Sequence, residues 1–289
     1  MQFAQLYEDT VSKLRQVGID DAVVDAVLLF EFSFGLTRSQ LFLHGAEEVP
    51  AESLQGFYSV LDRRLSREPF HYITGMREFW SLDFIVSPAV LVPRPETEFV
   101  LDIVLATMKK HGYCHGPVLD MCTGSGVIAV VLAREIDDCN VAAVDNSADA
   151  LLIAQQNIHK FGLEKKITLI CSDLFTALRQ DEHYEIIVAN PPYIAEEDMT
   201  GLQPEVRDWE PRSALTSGPE GLNVIEKIAD QAYRHLLPGG WLFVEIGSDQ
   251  GEKIKDLFTD HTSKEYDSVA VLTDWSGRSR LLQARRRNV

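Results

Sequence analysis

The chain has 289 residues, a hydrophobic share of 45%, and 44 Asp+Glu against 27 Lys+Arg, for a formal net charge of -17. That length and apolar share are enough for one large core or two modest ones, and disorder is not the default at such values. The acidic balance lacks the surplus of Lys and Arg that neutralises phosphates along a nucleic acid, so a DNA- or RNA-clamping protein is disfavoured; its plainest physical meaning is solubility through self-repulsion.

The opening MQFAQLYEDT has no basic stretch followed by an apolar one, and no window of about 18 apolar residues occurs. Cys114, Cys122, Cys139 and Cys171 form no C-x-x-C pair and have no His at ligand spacing, which points to reduced thiols and no metal site. These features predict a soluble, cytoplasmic protein without a membrane partner. No self-association stripe is visible, so a monomer is expected.

Residues 1–70 read as a small helical domain. Phe3, Leu6, Tyr7, Thr10, Leu14 and Val17 share one face of a first helix that Gly18 stops. Asp20 is placed to cap a second helix running through Phe32. Thr37-Arg-Ser-Gln40 fits a capping box for a short third, and Pro50 opens a fourth with the stripe Leu54, Phe57, Leu61 and Leu65. Residues 1–80 hold seven Lys+Arg and twelve Asp+Glu, which is no basic DNA-reading module. Such a bundle either docks a protein substrate or caps the rest of the molecule. Over residues 71–93 the period changes, and Phe79 to Val92 suggest a β-hairpin linker with Ser87-Pro88 between its strands.

Residues 94–289 follow a strand–helix rhythm. Pro93-Arg94-Pro95-Glu96-Thr97-Glu98 leads into a helix to about Lys110. Strands are expected at Val118–Met121, Val141–Val144, Ile167–Cys171, Ile186–Ala189 and Trp241–Ile246, with helices at Val127–Glu135, Ser147–Phe161 and Leu222–Leu237. A last hairpin would use Ser268–Leu272 and Leu281–Leu282. This alternation predicts an α/β, Rossmann-like fold, a mostly parallel sheet covered on both faces, with ligands at the carboxyl ends of the strands.

Two turns at that edge carry chemistry. Asp120-Met-Cys122-Thr123-Gly124-Ser125-Gly126 joins an apolar strand to an apolar helix, and its glycines let backbone approach a ligand. The glycine spacing alone also fits a NAD-type loop. A carboxylate at Asp120 would repel a pyrophosphate but favour an ammonium or sulfonium group, and S-adenosylmethionine carries both. Asp145, ending the next strand, can accept from both ribose hydroxyls or cap the following helix. Asp173 can receive an adenine amino group beside Leu174, or cap a short helical turn. Asn190-Pro191-Pro192-Tyr193 directly follows the strand Ile186–Ala189. The Asn190 side-chain oxygen and the Pro191 carbonyl can each accept an N–H from a planar amide or amino nitrogen and aim its lone pair at a sulfonium methyl group, while Tyr193 walls the flat group. A rigid turn is the bland alternative. Thr200–Gly218 is irregular and reads as a lid or a disordered insertion.

At these residues the chain resembles the HemK/PrmC-type protein-(glutamine-N5) methyltransferases of peptide-chain release factors. The resemblance rests on Tyr72-Ile-Thr-Gly75, Pro93–Glu98, Cys122–Gly126, Asn190–Tyr193, Glu210-Pro211-Arg212 and Gly218-Pro-Glu-Gly-Leu222. It implies a class I S-adenosylmethionine-dependent methyltransferase fold with S-adenosylhomocysteine as product. It further implies cofactor contacts from Cys122 to Gly126, Asp145, Leu174 and Asn190. Asn190 to Tyr193 would hold the glutamine of a Gly-Gly-Gln loop, with Arg94, Pro95, Glu96 and Thr97 near the substrate and the helical domain docking the release factor. Two positions depart from the pattern: Cys122 where glycine is common, and Leu174 where an aromatic residue often flanks adenine. Rival readings are an amino-group methyltransferase acting on nucleic acid, a scaffold without catalysis, and a NAD-dependent oxidoreductase.

Overall fold

The computed structural model describes residues 1–112, 116–261 and 264–288. The chain divides into two compact units, Met1–Gly75 with Gln203–Trp209, and Met76–Leu202 with Glu210–Val289.

The first unit holds α1 (Phe3–Gln16), α2 (Ala22–Phe34), α3 (Arg38–His44), α4 (Ala51–Leu65) and α5 (Phe70–Thr74). Its core forms around Phe30, whose ring meets Phe3, Tyr7, Phe34 and Phe57 at centroid distances of 5.1–6.4 Å. Gly18, at φ 76, ends the turn after α1. Thr37 and Gln40 form the expected capping box. The expected Asp20 cap is not made: Asp21 occupies the N-cap, and its side chain bonds no helix amide. The buried Arg64 donates to Asp25 at 2.6 Å, to Glu205 at 2.8 Å and to the Glu68 carbonyl. Arg67 donates to the other Glu205 oxygen at 2.7 Å. A short helix from much later in the chain, α9 (Pro204–Arg207), is therefore fastened into this unit by two guanidinium groups.

The second unit begins with the hairpin β1 (Met76–Phe79) and β2 (Leu82–Ile85). Its turn lies at Trp80-Ser81, both at φ 55, and not at Ser87-Pro88 as the sequence suggested. Then follow α6 (Pro95–His111), β3 (Pro117–Met121), α7 (Val127–Glu135), β4 (Asn140–Asp145), α8 (Ala148–Lys160), β5 (Ile167–Cys171) and β6 (Tyr184–Ala189). Beyond α9 come α10 (Asn223–His235), β7 (Leu236–Glu245), α11 (Gly251–Asp256), β8 (Tyr266–Thr273) and β9 (Ser279–Arg286). The seven-stranded sheet has the order β5-β4-β3-β6-β7-β9-β8. Its first five strands are parallel, and β9 and β8 close it antiparallel.

Side chains alternate between the two sheet faces. Val118, Ile186, Val188 and Phe243 join a core with α6 and α7, whereas Leu119, Met121, Ile187 and Val244 join one with α10 and α11. The same alternation turns Asp120 toward α7. Cys122, Cys139 and Cys171 are free thiols, and Cys114 lies outside the described residues. Among the described residues no single helix is long and apolar enough to cross a membrane.

Candidate active site

The strand order reverses between β3 and β6, where Met121 pairs with Ala189. The glycine loop and the Asn190 turn therefore leave adjacent strands at the same end, the usual ligand address of an open parallel sheet. A cavity of about 300 Å³ lies there. The glycine loop contributes Cys122, Thr123, Gly124 and Ser125 to its wall; the next two strand ends add Asp145, Asp173 and Leu174. Arg94, Thr97, Asn190 and Pro192 line it as well.

Asp120 is fully buried and is not part of the wall. Its Oδ2 accepts from the Thr123 hydroxyl at 2.5 Å and from the Ala129 amide in the first turn of α7 at 3.1 Å. It thus takes up a helix N-terminal amide that a bound phosphate would otherwise use. Its Oδ1 is buried with no partner among the described residues. Burial, only partly offset by those two donors, pushes this carboxyl up to about 7. Cys122 adopts φ 61, Gly124 φ 55 and Gly126 φ 82. A Cβ at Gly124 would meet no protein atom, whereas one at Gly126 would press on Ala154 of α8 at 3.3 Å. Gly126 thus combines a left-handed φ with a tight approach to α8, and Gly124 leaves room on the cavity side. Cys122 meets a left-handed backbone demand that glycine meets without strain. Burial and the fields of Asp145, Asp120 and Asp173 hold its thiol protonated.

Asp145 does not cap α8, whose N-cap is Ser147 with its hydroxyl accepting from Ala150 N. Asp145 Oδ2 accepts from Gly124 N at 2.9 Å and its Oδ1 from Ser147 N at 2.9 Å, so it ties the glycine loop to the start of α8 while facing the cavity. Burial raises its pKa against these donors. The cap after β5 is made by Ser172, which accepts from Ala177 N at 2.9 Å. Asp173 is thereby left exposed on the wall, and Leu174 sits buried beside it at φ 48.

At the Asn190 turn, Asn190 Nδ2 donates to Thr97 Oγ1 at 3.2 Å, and Thr97 Oγ1 donates to Glu245 Oε2 at 2.7 Å. Thr97 and Glu245 are 2% and 1% exposed. Burial, opposed by the Thr97 bond and Arg280, pushes Glu245 up to about 7. Beyond the turn, the Tyr193 carbonyl accepts from Gln250 Nε2 at 2.8 Å, and a side chain at Gly221 would collide with that same carbonyl. The half-buried Tyr193 ring packs beside the α10-side core, and burial pushes its hydroxyl up to about 12. Pro191, Tyr193, Pro95, Glu96 and Gly126 are not among the wall residues.

Arg94 and the buried Glu210 clamp two distant runs together, with Arg94 donating at 2.6 Å and Val92 N at 3.3 Å. Residues 210–218 are ordered against the turn, since Ile194 N donates to the Leu215 carbonyl and Ser217 N to the Ile194 carbonyl. From this stretch Pro211, Ser213, Ala214 and Thr216 reach the wall. The buried Thr216 hydroxyl has no partner among the described residues, a polar atom that a bound ligand would satisfy. Sequence reasoning missed Thr216, Gln250 and Glu245. The last had a signal: an acidic residue near the carboxyl end of an otherwise apolar strand. With Asp145 and Asp173 on its wall, an orphaned Thr216 hydroxyl, and space over Gly124, the cavity offers polar partners to a nucleoside-sized ligand.

Residues 5–75 match the family model described as the PrmC N-terminal domain, and residues 97–203 match the methyltransferase small domain. The release factor glutamine methyltransferase of Koribacter versatilis is 36% identical over 286 residues, 99% of each chain. That of Moorella thermoacetica is 39% identical over 288 residues, again 99% of each. That of Escherichia coli is 37% identical over 258 residues, 89% of this chain and 90% of its own. Among solved structures, a Thermus thermophilus 16S rRNA N2 G1207 methyltransferase in complex with AdoMet and guanosine superposes with a TM-score of 0.54 at 19% identity, covering 73% of this chain and 50% of that one. A Pyrococcus furiosus methyltransferase gives 0.51 at 15% identity, covering 81% and 99%. Those two likenesses concern the fold alone, and it is the Rossmann-like class I methyltransferase fold, here following a helical N-terminal domain.

Proposed function

Because the chain belongs to the release factor glutamine methyltransferases, we infer its reaction from that membership and the roles of its residues from the cavity. The protein is an S-adenosylmethionine-dependent enzyme that methylates the side-chain amide nitrogen, N5, of the glutamine in the Gly-Gly-Gln motif of peptide-chain release factors. The observation that supports this best is the convergence of the glycine loop and, through Asn190 and Pro192, the turn after β6 on one cavity from neighbouring strand ends. When bound, S-adenosylmethionine supplies an activated methyl group on sulfur.

This chain's residues do the rest. The backbone of Cys122 to Gly126 forms the cofactor cradle, shaped from beneath by Asp120. Asp145 accepts the ribose hydroxyls with its spare lone pairs, and Asp173 and Leu174 take the adenine. Asn190 Oδ1 and the Pro191 carbonyl accept the two N–H bonds of the glutamine amide, which holds the nitrogen and offsets the positive charge it gains. Pro192 and Tyr193 wall the flat amide against water, and Arg94, Pro95, Glu96 and Thr97 shape the substrate side. We take residues 1–70 as the docking domain for the release factor, 71–93 as a hairpin linker and 94–289 as the catalytic domain. We further place the enzyme in the cytoplasm as a monomer without direct nucleic-acid contact.

Incubation with a purified release factor and labelled donor, followed by mass spectrometry, should locate one methyl group on the Gly-Gly-Gln glutamine. Asn190→Ala should lower kcat by roughly 10²- to 10³-fold, the usual cost of removing a preorganised polar contact to developing charge. Near-normal turnover in that variant would overturn the role of Asn190.

A further inference from the structure

We propose that Glu245 is a positioning residue, acting through Thr97, that dictates which end of the Asn190 amide faces the substrate. The inference rests on the glutamine-methylating reading above and deepens it. A hydroxyl has one proton. An ionised Glu245 can only accept, so it draws the Thr97 proton toward itself at 2.7 Å. The Thr97 oxygen, having given its proton away, can then only accept from Asn190. The group facing it at 3.2 Å must be the Asn190 NH₂, and Oδ1 is turned to the other side as an acceptor. Both members of the relay are buried, so water cannot substitute for either.

The relay reverses when Glu245 takes up a proton. The protonated carboxyl donates to the Thr97 oxygen, the Thr97 proton swings to Asn190, and the asparagine is satisfied only by presenting Oδ1 inward. The cavity then meets an NH₂, which repels the N–H groups of an amide substrate. The groups that face Glu245 set where this happens. Arg280 from β9, itself paired with Asp274, and Arg94 favour the carboxylate; burial and Glu96 favour the acid; and Tyr193 lies within its field. Activity is therefore retained above the Glu245 titration and lost as pH falls through it.

Single-turnover rates on a release factor with the intact enzyme, measured from mildly acidic to mildly alkaline pH, test the relay. Thr97→Val removes the hydroxyl and should lower the rate by about 10- to 100-fold, with donor binding within about twofold of wild type. Thr97→Ser keeps the hydroxyl and should return the rate to within about threefold. Glu245→Gln, which can present either an oxygen or an NH₂ to Thr97, should lower the rate about tenfold and erase the acidic limb of the pH profile. Three results would overturn the proposal: wild-type rates in Thr97→Val, equal loss in the valine and serine variants, or an unchanged acidic limb in Glu245→Gln. If Asn190→Ala is inactive while Thr97→Val is fully active, the relay fails and the role of Asn190 stands. If Asn190→Ala is active, the underlying reading fails.

Discussion

Asp120 is fully buried beneath the glycine turn. The two-residue period of β3 turns it onto the α7 side, where it braces Thr123 and Ala129. Its folded pKa of about 7 lies above the value of about 3.9 for an exposed aspartate. The folded state therefore holds the proton more tightly, and the charge costs stability that grows as pH rises through that window. Asp120→Asn should accordingly melt higher than wild type above neutral pH, and the two curves should converge in mild acid. Scanning thermal unfolding against pH checks this, and a constant offset at all pH values would count against it. Asn190 and Asp145 were found because each follows a strand at the ligand-binding edge, and Arg94 through the family resemblance of the Pro93–Glu98 run. Thr216 was invisible because a lone threonine in an irregular run carries no periodic signal.

At the level of elements, long periodic segments declared themselves. The expected Val127–Glu135 helix and Ile167–Cys171 strand match the structure residue for residue. Short pieces did not: α5, α9 and α11 span at most six residues, too few for a 3.6-residue period to show. The β1–β2 turn was missed because Trp80 and Ser81 hold positive φ without the Asn-Gly signal that usually marks such hairpins. The attachment of α9 was also hidden, since nothing in sequence links Glu205 to Arg64 and Arg67. Arg64→Met would leave the Asp25 and Glu205 carboxylates largely desolvated without it, and a loss on the order of 3 kcal/mol is expected in guanidinium unfolding. Glu205 adds a pH signature. Burial would raise its pKa, but the bonds from Arg64 and Arg67 prevail and lower it. The stability it contributes is present above its unfolded pKa and lost as pH falls through the lower folded value.

Over the whole molecule, the mostly parallel, two-faced sheet and its ligand edge were readable from alternation, whereas the strand order was not, since alternation alone does not say which strands become neighbours. The charge of -17 leaves no surplus of Lys and Arg to neutralise the phosphates of a nucleic acid. At low salt the enzyme should fail to retard duplex DNA or RNA in a gel, whereas a steep salt-dependent shift would reopen nucleic acid as a substrate. The helical unit is written in two places along the chain, residues 1–75 and 203–209. Transplanting only the first stretch between relatives would deliver an unfinished module, with Arg64 and Arg67 seeking a carboxylate that the host loop need not offer. Any chimera that exchanges the helical unit must therefore carry the distant seven-residue segment as part of the same cassette.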